Sequence, residues 1–255
     1  MANLNSWNSR KVINTYVENH ALQKPEAAIL DVLKNKLPDW RMLDIGIGLG
    51  RTTLHFAPLV KAYTGIDYSK NMIQTFHQLH PELNANISVQ VGDARSMQAF
   101  DADSFDFALF SFNGIDYVSH DDRYRVFQEI KRVVKNGGTF VFSTHNLQYI
   151  DNLYSVKIEK GLKYSAYQCY KYFRLLYENG FPQKYRNRDF AILNDGANHF
   201  SLKTYYIKPS AQIEQLEQAG FSDISLFSYK TGEKLNSANL NGASKDSWIY
   251  YMCRI

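Results

Sequence analysis

Three apolar runs in the first half of the chain end in, or run into, an aspartate: Met42-Leu43-Asp44, Ala62 to Asp67, and Ile87 to Val91 followed by Gly92-Asp93. Asp44, Asp67 and Asp93 are spaced by 23 and 26 residues. That interval holds one strand, one helix and their connections. A chain that repeats it builds a parallel sheet with helices packed on its faces. The carboxyl ends of the strands then share one edge, and ligands bind at that edge. All three acids are expected there.

The first run leads into Ile45-Gly46-Ile47-Gly48-Leu49-Gly50, and a helix-like segment, Arg51 to Ala57, follows. Glycines let the backbone turn sharply and let a ligand approach the main chain. The helix start adds unpaired N–H groups and a partial positive charge, which favour an anionic group. Dinucleotide enzymes carry G-x-G-x-x-G. Here the third glycine comes one residue early, and Arg51 stands where that motif has its glycine. Asp67, at the tip of the second strand, is suited to accept both hydroxyls of a ribose. The residues by themselves therefore point to an adenosine-type ligand, without identifying the chemistry.

An acid two residues before G-x-G-x-G resembles motif I of the class I S-adenosylmethionine-dependent methyltransferases. Asp67-Tyr68-Ser69-Lys70-Asn71-Met72 resembles the D-x-S-x-x-M pattern of that family, and Gly92-Asp93-Ala94 its third motif. A helical pattern, then Lys135-Asn136-Gly137-Gly138, then the apolar Thr139 to Ser143 is similar to its fifth unit. The resemblance rests on motifs over residues 41–146 and on a consistent pattern over 205–255. It implies a Rossmann-like, doubly wound α/β fold: a seven-stranded sheet whose last strand is antiparallel. It also implies S-adenosyl-L-methionine as cofactor. On that reading Asp44, Gly46, Ile47, Gly48 and Gly50 line the cofactor, and Asp67 holds the ribose. Tyr68 and Met72 touch adenine or ribose, and Asp93, with Gly92 and Ala94, accepts the adenine amino group. Ser111, Phe112 and Asn113 stand beside the methionine part, where an aromatic face suits a sulfonium. His145, just past the fifth strand, is the first candidate for a general base, and His199 in Asn198-His199-Phe200 the second.

Residues 1–40 read as helices that form a lid, with Trp7 or Tyr16 reaching inward. Residues 41–150 and 205–255 read as the cofactor-binding core, and 151–204 as a substrate-binding insertion after the fifth strand. Within 151–208 ten Lys or Arg face five Asp or Glu, a net of +5, while the whole chain carries +4. The basic character is local, and tyrosines and phenylalanines are interleaved with it. Aromatic faces suit a flat or apolar molecule, and basic groups suit a carboxylate or phosphate on it. A small-molecule acceptor of a methyl group on oxygen or nitrogen is expected. RNA is the alternative, since the same mixture also grips single strands. Against it, the D/N-P-P-Y motif of amino-directed nucleic-acid methyltransferases is replaced by Ser111-Phe112-Asn113-Gly114.

Two other readings compete. Tyr167-Gln168-Cys169-Tyr170-Lys171 contains the Y-x-x-x-K pair of short-chain dehydrogenases, but in a tyrosine- and lysine-rich segment, and the glycine turn has the wrong spacing for NAD. A non-catalytic module that keeps the cofactor fold is the other. Composition narrows the rest. With 45% hydrophobic and 21% charged residues the chain has a sizeable core. Two cysteines, Cys169 and Cys253, fit a reduced, cytoplasmic protein and match no zinc spacing. No metal-ligand cluster, signal-peptide core or membrane-length apolar run is visible. The sequence is silent on oligomeric state.

Overall fold

The computed structural model describes residues 21–156, 161–235, 243 and 245–255. Ten strands form one mixed sheet. They are β1 (Arg41–Ile45), β2 (Ala62–Asp67), β3 (Ile87–Val91), β4 (Phe105–Phe110), β5 (Val134–Asn146), β6 (Phe190–Leu193), β7 (Thr204–Ile207), β8 (Ser222–Ser228), β9 (Lys234–Leu235) and β10 (Trp248–Arg254). The sheet runs β3-β2-β1-β4-β5-β10-β8-β9, with the β6–β7 hairpin joined to β5. β1 to β5 pair in parallel, and β10 is antiparallel to both β5 and β8. This is the expected doubly wound sheet with an antiparallel last strand. Three short strands, β6, β7 and β9, are added to the seven of the core.

The alternation of β4 shows how both faces are buried. Phe107 and Leu109 join a cluster with Ile29, Leu33, Met42, Phe56 and Tyr250. Ala108 and Phe110 point the other way, into a cluster with Leu43, Val126, Phe127, Ile130 and Leu216. A strand covered on both faces has no polar side to show, hence its near-continuous apolar sequence. The helices that cover these faces include α1 (Lys24–Leu33), α2 (Thr53–Phe56), α3 (Lys70–Leu79) and α4 (His120–Val133). Two of them begin on serine caps: Ser69 Oγ accepts the Met72 N–H at 3.2 Å, and Ser119 Oγ accepts the Asp122 N–H at 3.1 Å.

One boundary differs from the expected pattern. Asn136-Gly137-Gly138 was expected to end α4, yet the helix stops at Val133 and β5 begins at once. Gly137 (φ 76°) instead serves an irregularity inside the strand, where the β4–β5 register shifts between Phe105 and Phe107. The chain's last residue locks it there: Gly137 N–H donates to Ile255 O (3.2 Å), and Ile255 N–H donates to Gly138 O (3.1 Å).

β5 is 13 residues long and outlasts β4. Past Phe110 the chain leaves the sheet through the turn 111–117, and β7 pairs with the exposed end of β5, His145 against Tyr206. The segment between β5 and β8 holds α5 (Ile150–Leu153), α6 (Leu162–Asn179), the β6–β7 hairpin and α7 (Pro209–Gln218). It has a small core of its own around Leu147, Ile150, Tyr154, Leu175, Tyr185 and Leu193. No described helix is long and apolar enough to cross a membrane.

Candidate active site

The glycine turn after β1 is left-handed at all three glycines, with φ of 70° at Gly46, 54° at Gly48 and 89° at Gly50. Gly46 and Ile47 N–H both donate to Ile66 O, at 2.7 and 3.2 Å, which ties the turn to β2. The glycines are not equivalent. A Cβ at Gly50 would sit 2.4 Å from the buried ring of Phe76, so this glycine exists for packing. A Cβ at Gly48 would meet nothing within 4 Å, so this glycine faces open space.

Two buried aspartates adjoin the turn. Asp44 is buried and accepts from Thr52 Oγ1 (2.6 Å) and Tyr63 Oη (2.7 Å). Burial pushes its carboxyl up to about 7, against those hydrogen bonds and the nearby Arg51 charge. Asp67 accepts from Gly48 N–H (2.9 Å) with one oxygen and from Ser69 N–H (2.8 Å) with the other. Burial raises its carboxyl too, opposed by these two backbone donors. Each oxygen of Asp67 keeps a further acceptor position. Gly48 and Asp67 thus place an open backbone turn and an anchored carboxylate side by side.

Sequence reasoning gave no role to Glu26, around which the next cluster gathers. Glu26, on α1, is 1% exposed and forms a bidentate pair with Arg51, which follows the last glycine. Ser111 also donates to Glu26, and Tyr250 Oη donates to it at 2.9 Å. Arg51 stacks over Phe112, 5.4 Å from guanidinium carbon to ring centre. So α1, β4 and β10 close around the turn through one carboxylate.

The turn after β4 is strained, with Phe112 (φ 53°) and Asn113 (φ 60°) left-handed. Asn113 N–H donates to Ser143 Oγ (2.7 Å), which seats the turn on β5. Asn113 Oδ1 is buried without a hydrogen-bond partner among the described residues. An orphaned acceptor here is a position a bound donor would satisfy. Two residues past Ser143, His145 lies at the same strand end with its side chain 13% exposed. Its ring lies 4.8 Å from Tyr206 and 5.8 Å from Trp248. Trp248 also meets Phe112 (6.1 Å) and Tyr229 (3.8 Å). The aromatic side chains gathered at this strand end come from outside residues 151–204.

The other expected residues are dispersed in burial. Tyr68 is 37% exposed, while Met72 is 3% and Ala94 8% exposed, with Ala94 inside the core. Gly92 packs closely on Ile66 and donates its N–H to Asp67 O at 3.0 Å. Asp93 faces Arg95, whose Nη2 lies 2.6 Å from it, and this cation holds its carboxyl below the usual range despite partial burial. His199 is exposed on a left-handed turn of the insertion, away from β5 in sequence and strand pairing. Tyr16 lies outside the described residues. Among the described residues no group of three or more His, Cys, Asp or Glu gathers to hold a metal.

Residues 42–138 match the methyltransferase domain family. That stretch is the one whose motifs resemble those of the class I S-adenosylmethionine-dependent methyltransferases. Over 108 residues it is 34% identical to the uncharacterized methyltransferase YcgJ of Bacillus subtilis, spanning 41% of this chain and 40% of that protein. Among solved structures, an S-adenosylmethionine-dependent methyltransferase of Clostridium acetobutylicum superposes with a TM-score of 0.62 at 15% identity, over 96% of this chain and 95% of that one. One of Mesorhizobium loti gives 0.60 at 17%, over 91% and 100%. The 1,6-didemethyltoxoflavin-N1-methyltransferase of Burkholderia thailandensis gives 0.60 at 15%, over 98% and 84%. At these identities the structural likeness is one of fold. The methyltransferase domain matched in sequence is the half of the sheet that carries the glycine turn and the three acids.

Proposed function

We propose that this protein is an S-adenosylmethionine-dependent methyltransferase that methylates an oxygen or nitrogen of a small aromatic or anionic molecule. The observation that carries the reading is the pairing of open Gly48 with Asp67, whose carboxylate is fixed by two backbone donors. The residues present fit the cofactor. The turn through Gly46, Ile47 and Gly48 supplies a close main-chain approach with Gly50 packed behind it on Phe76, Asp67 accepts ribose hydroxyls, and Asn113 Oδ1 offers an unused acceptor near the methionine part. Tyr68 and Met72 flank adenine or ribose. Gly92, Asp93 and Ala94 complete the adenine side, with Asp93 held by Arg95 through both carboxylate oxygens. When bound, S-adenosylmethionine supplies an electrophilic methyl that passes to the acceptor's lone pair while its carbon–sulfur bond breaks and the electrons stay on sulfur.

The chain's own task is then alignment and proton removal. Alignment of two reactants is worth on the order of 7–11 kcal/mol at best, and a positioned base about 10²–10⁴-fold. His145 is the proposed base, at the end of β5 among Phe112, Tyr206, Tyr229 and Trp248. Those faces suit a flat acceptor. His199, exposed on the insertion, is the weaker candidate. The open, anchored turn also counts against a module that merely keeps the fold.

Two experiments test this. Titration with S-adenosylmethionine and with NAD decides the cofactor: binding of NAD alone sinks the reading. Methyl-labelled S-adenosylmethionine added with a metabolite-plus-RNA extract decides the acceptor class. Label in the small-molecule fraction supports a metabolite, and label in acid-precipitable polymer overturns it in favour of RNA or protein.

A further inference from the structure

Asp116 was no candidate in the sequence, where Gly114-Ile115-Asp116-Tyr117 looks like an ordinary turn. In the fold it is 1% exposed, and four donors converge on it. Arg123 Nη1 donates to Oδ1 at 2.9 Å, and Thr144 Oγ1 donates to the same oxygen. The other oxygen accepts the His145 backbone N–H at 2.7 Å and lies 2.7 Å from His145 Nδ1. Arg123 is itself fully buried, 2.5 Å from Gln212 Oε1 and stacked 4.4 Å over Tyr205. A guanidinium cannot give up its proton in a protein, so it pairs with an ionised carboxylate. An ionised carboxylate only accepts. In the neutral ring the proton between Asp116 and His145 therefore sits on Nδ1, which leaves the lone pair to Nε2, on the opposite edge.

We propose that Asp116 is a positioning residue for methyl transfer: by taking the Nδ1–H of His145 it fixes the tautomer whose Nε2 accepts the proton leaving the acceptor's O–H or N–H. This rests on the reading of the protein as a methyltransferase with His145 as base. The proton passes from the acceptor to Nε2, the positive charge formed on the ring faces the Asp116 carboxylate, and the proton then returns to solvent. The side chains packed on the ring, Tyr206 and Trp248, carry no charge of their own, and Tyr206 donates its hydroxyl proton to Asp195 (2.9 Å). Arg123 pairs with the ring's partner, Asp116. It binds one carboxylate oxygen and leaves the other to the histidine.

The test begins with the protein alone. In ¹⁵N-histidine-labelled chain, His145 is assigned by the signal lost in His145→Ala, and its two nitrogens are read above neutral pH. A protonated Nδ1 with a bare Nε2 is expected; a protonated Nε2 overturns the proposal without any variant. In Asp116→Asn the amide oxygen stays with Arg123 and Thr144, so its NH₂ replaces the oxygen facing the histidine: the His145 backbone N–H loses its acceptor, and the NH₂ donates to Nδ1 and drives the ring to the Nε2–H tautomer. Methyl transfer from labelled S-adenosylmethionine to the small-molecule fraction of a cell extract should then fall on the order of 10²–10⁴-fold. Calorimetric affinity for S-adenosylmethionine should stay within about twofold. In a His145→Ala background Asp116→Asn should cost nothing further. Equal losses in both backgrounds would mean that Asp116 acts on the fold and not through His145. Loss of cofactor binding by the wild-type chain would fail the methyltransferase reading, which the tautomer measurement does not touch.

Discussion

The two glycines that look alike in G-x-G-x-G should fail in different ways. Gly48→Ala places a methyl in open space at φ 54°, and Gly50→Ala places one 2.4 Å from Phe76 at φ 89°. Both incur the left-handed penalty of an L-residue, about 1–2 kcal/mol. Only Gly50→Ala adds overpacking, about 1–3 kcal/mol more, because the Phe76 ring is fully buried and has little room to yield. At about 2–4 °C per kcal/mol for a chain of this size, Gly48→Ala should lower the melting temperature by about 2–8 °C. Gly50→Ala should lower it by a further ~2–12 °C. Affinity should rank the other way. The new methyl at position 48 stands where the cofactor would approach the main chain, a misfit of about 1–3 kcal/mol, or about 5- to 150-fold in Kd. Thermal melts and titration calorimetry with S-adenosylmethionine read both axes. Wild-type affinity in Gly48→Ala, or equal melting temperatures for the two variants, would refute the division of labour between these glycines.

Three further outcomes follow from the same site. Asp67→Ala should weaken S-adenosylmethionine binding measured by calorimetry, because it removes the ribose acceptor and releases the Gly48 N–H; unchanged affinity would remove Asp67 from that role. His145→Ala should cut turnover by about 10²–10⁴-fold with cofactor affinity nearly unchanged, and undiminished turnover would mean it is not the base. Asp44 should make the fold less stable as pH rises. Its folded carboxyl lies at about 7 against 3.8 in the free chain, so between those values the folded state holds a proton the unfolded state has lost. The stabilisation is whole below about pH 4 and lost as pH climbs through 7, by at most about 4 kcal/mol. Asp44→Asn should flatten that slope in urea unfolding across the window; an unchanged slope would place its origin elsewhere.

Much of the sheet was legible because parallel strands buried on both faces leave an unmistakable sequence. The apolar runs at 41–45, 62–67 and 87–91 coincide with β1 to β3, and the longer run from Phe105 to Gly114 contains β4, which ends at Phe110. What local patterning misjudged was Asn136-Gly137-Gly138. A glycine pair after a helix reads as a cap, but here the C-terminal Ile255 pairs with it and makes it part of β5. That pairing joins residues more than a hundred positions apart, and no window of sequence contains it. The β6–β7 hairpin was hidden for a related reason. It becomes sheet only because β5 runs past the end of β4 and leaves an edge to pair with.

The same contrast divides the site. The expected cofactor half is built from backbone: a turn that needs φ above zero, a helix start, a carboxylate at a strand tip. These needs are local, so glycines and acids mark them in order along the chain. The half around His145 is built from side chains that the sheet register brings together. Trp248 stands opposite His145 across β5–β10, Tyr206 opposite it across β5–β7, and Asp116 beneath it from the turn after β4. A tryptophan at the start of a last strand and an aspartate in a tight turn carry no local mark of such a role. Glu26 shows the most demanding case. It looks like an ordinary first-turn acid of a helix, yet it is buried against Arg51, Ser111 and Tyr250 from three other parts of the chain. Burying a carboxylate without partners costs several kcal/mol. The arrangement is stable only if all four elements arrive together, so the glycine turn is set by the completed sheet as much as by its own glycines.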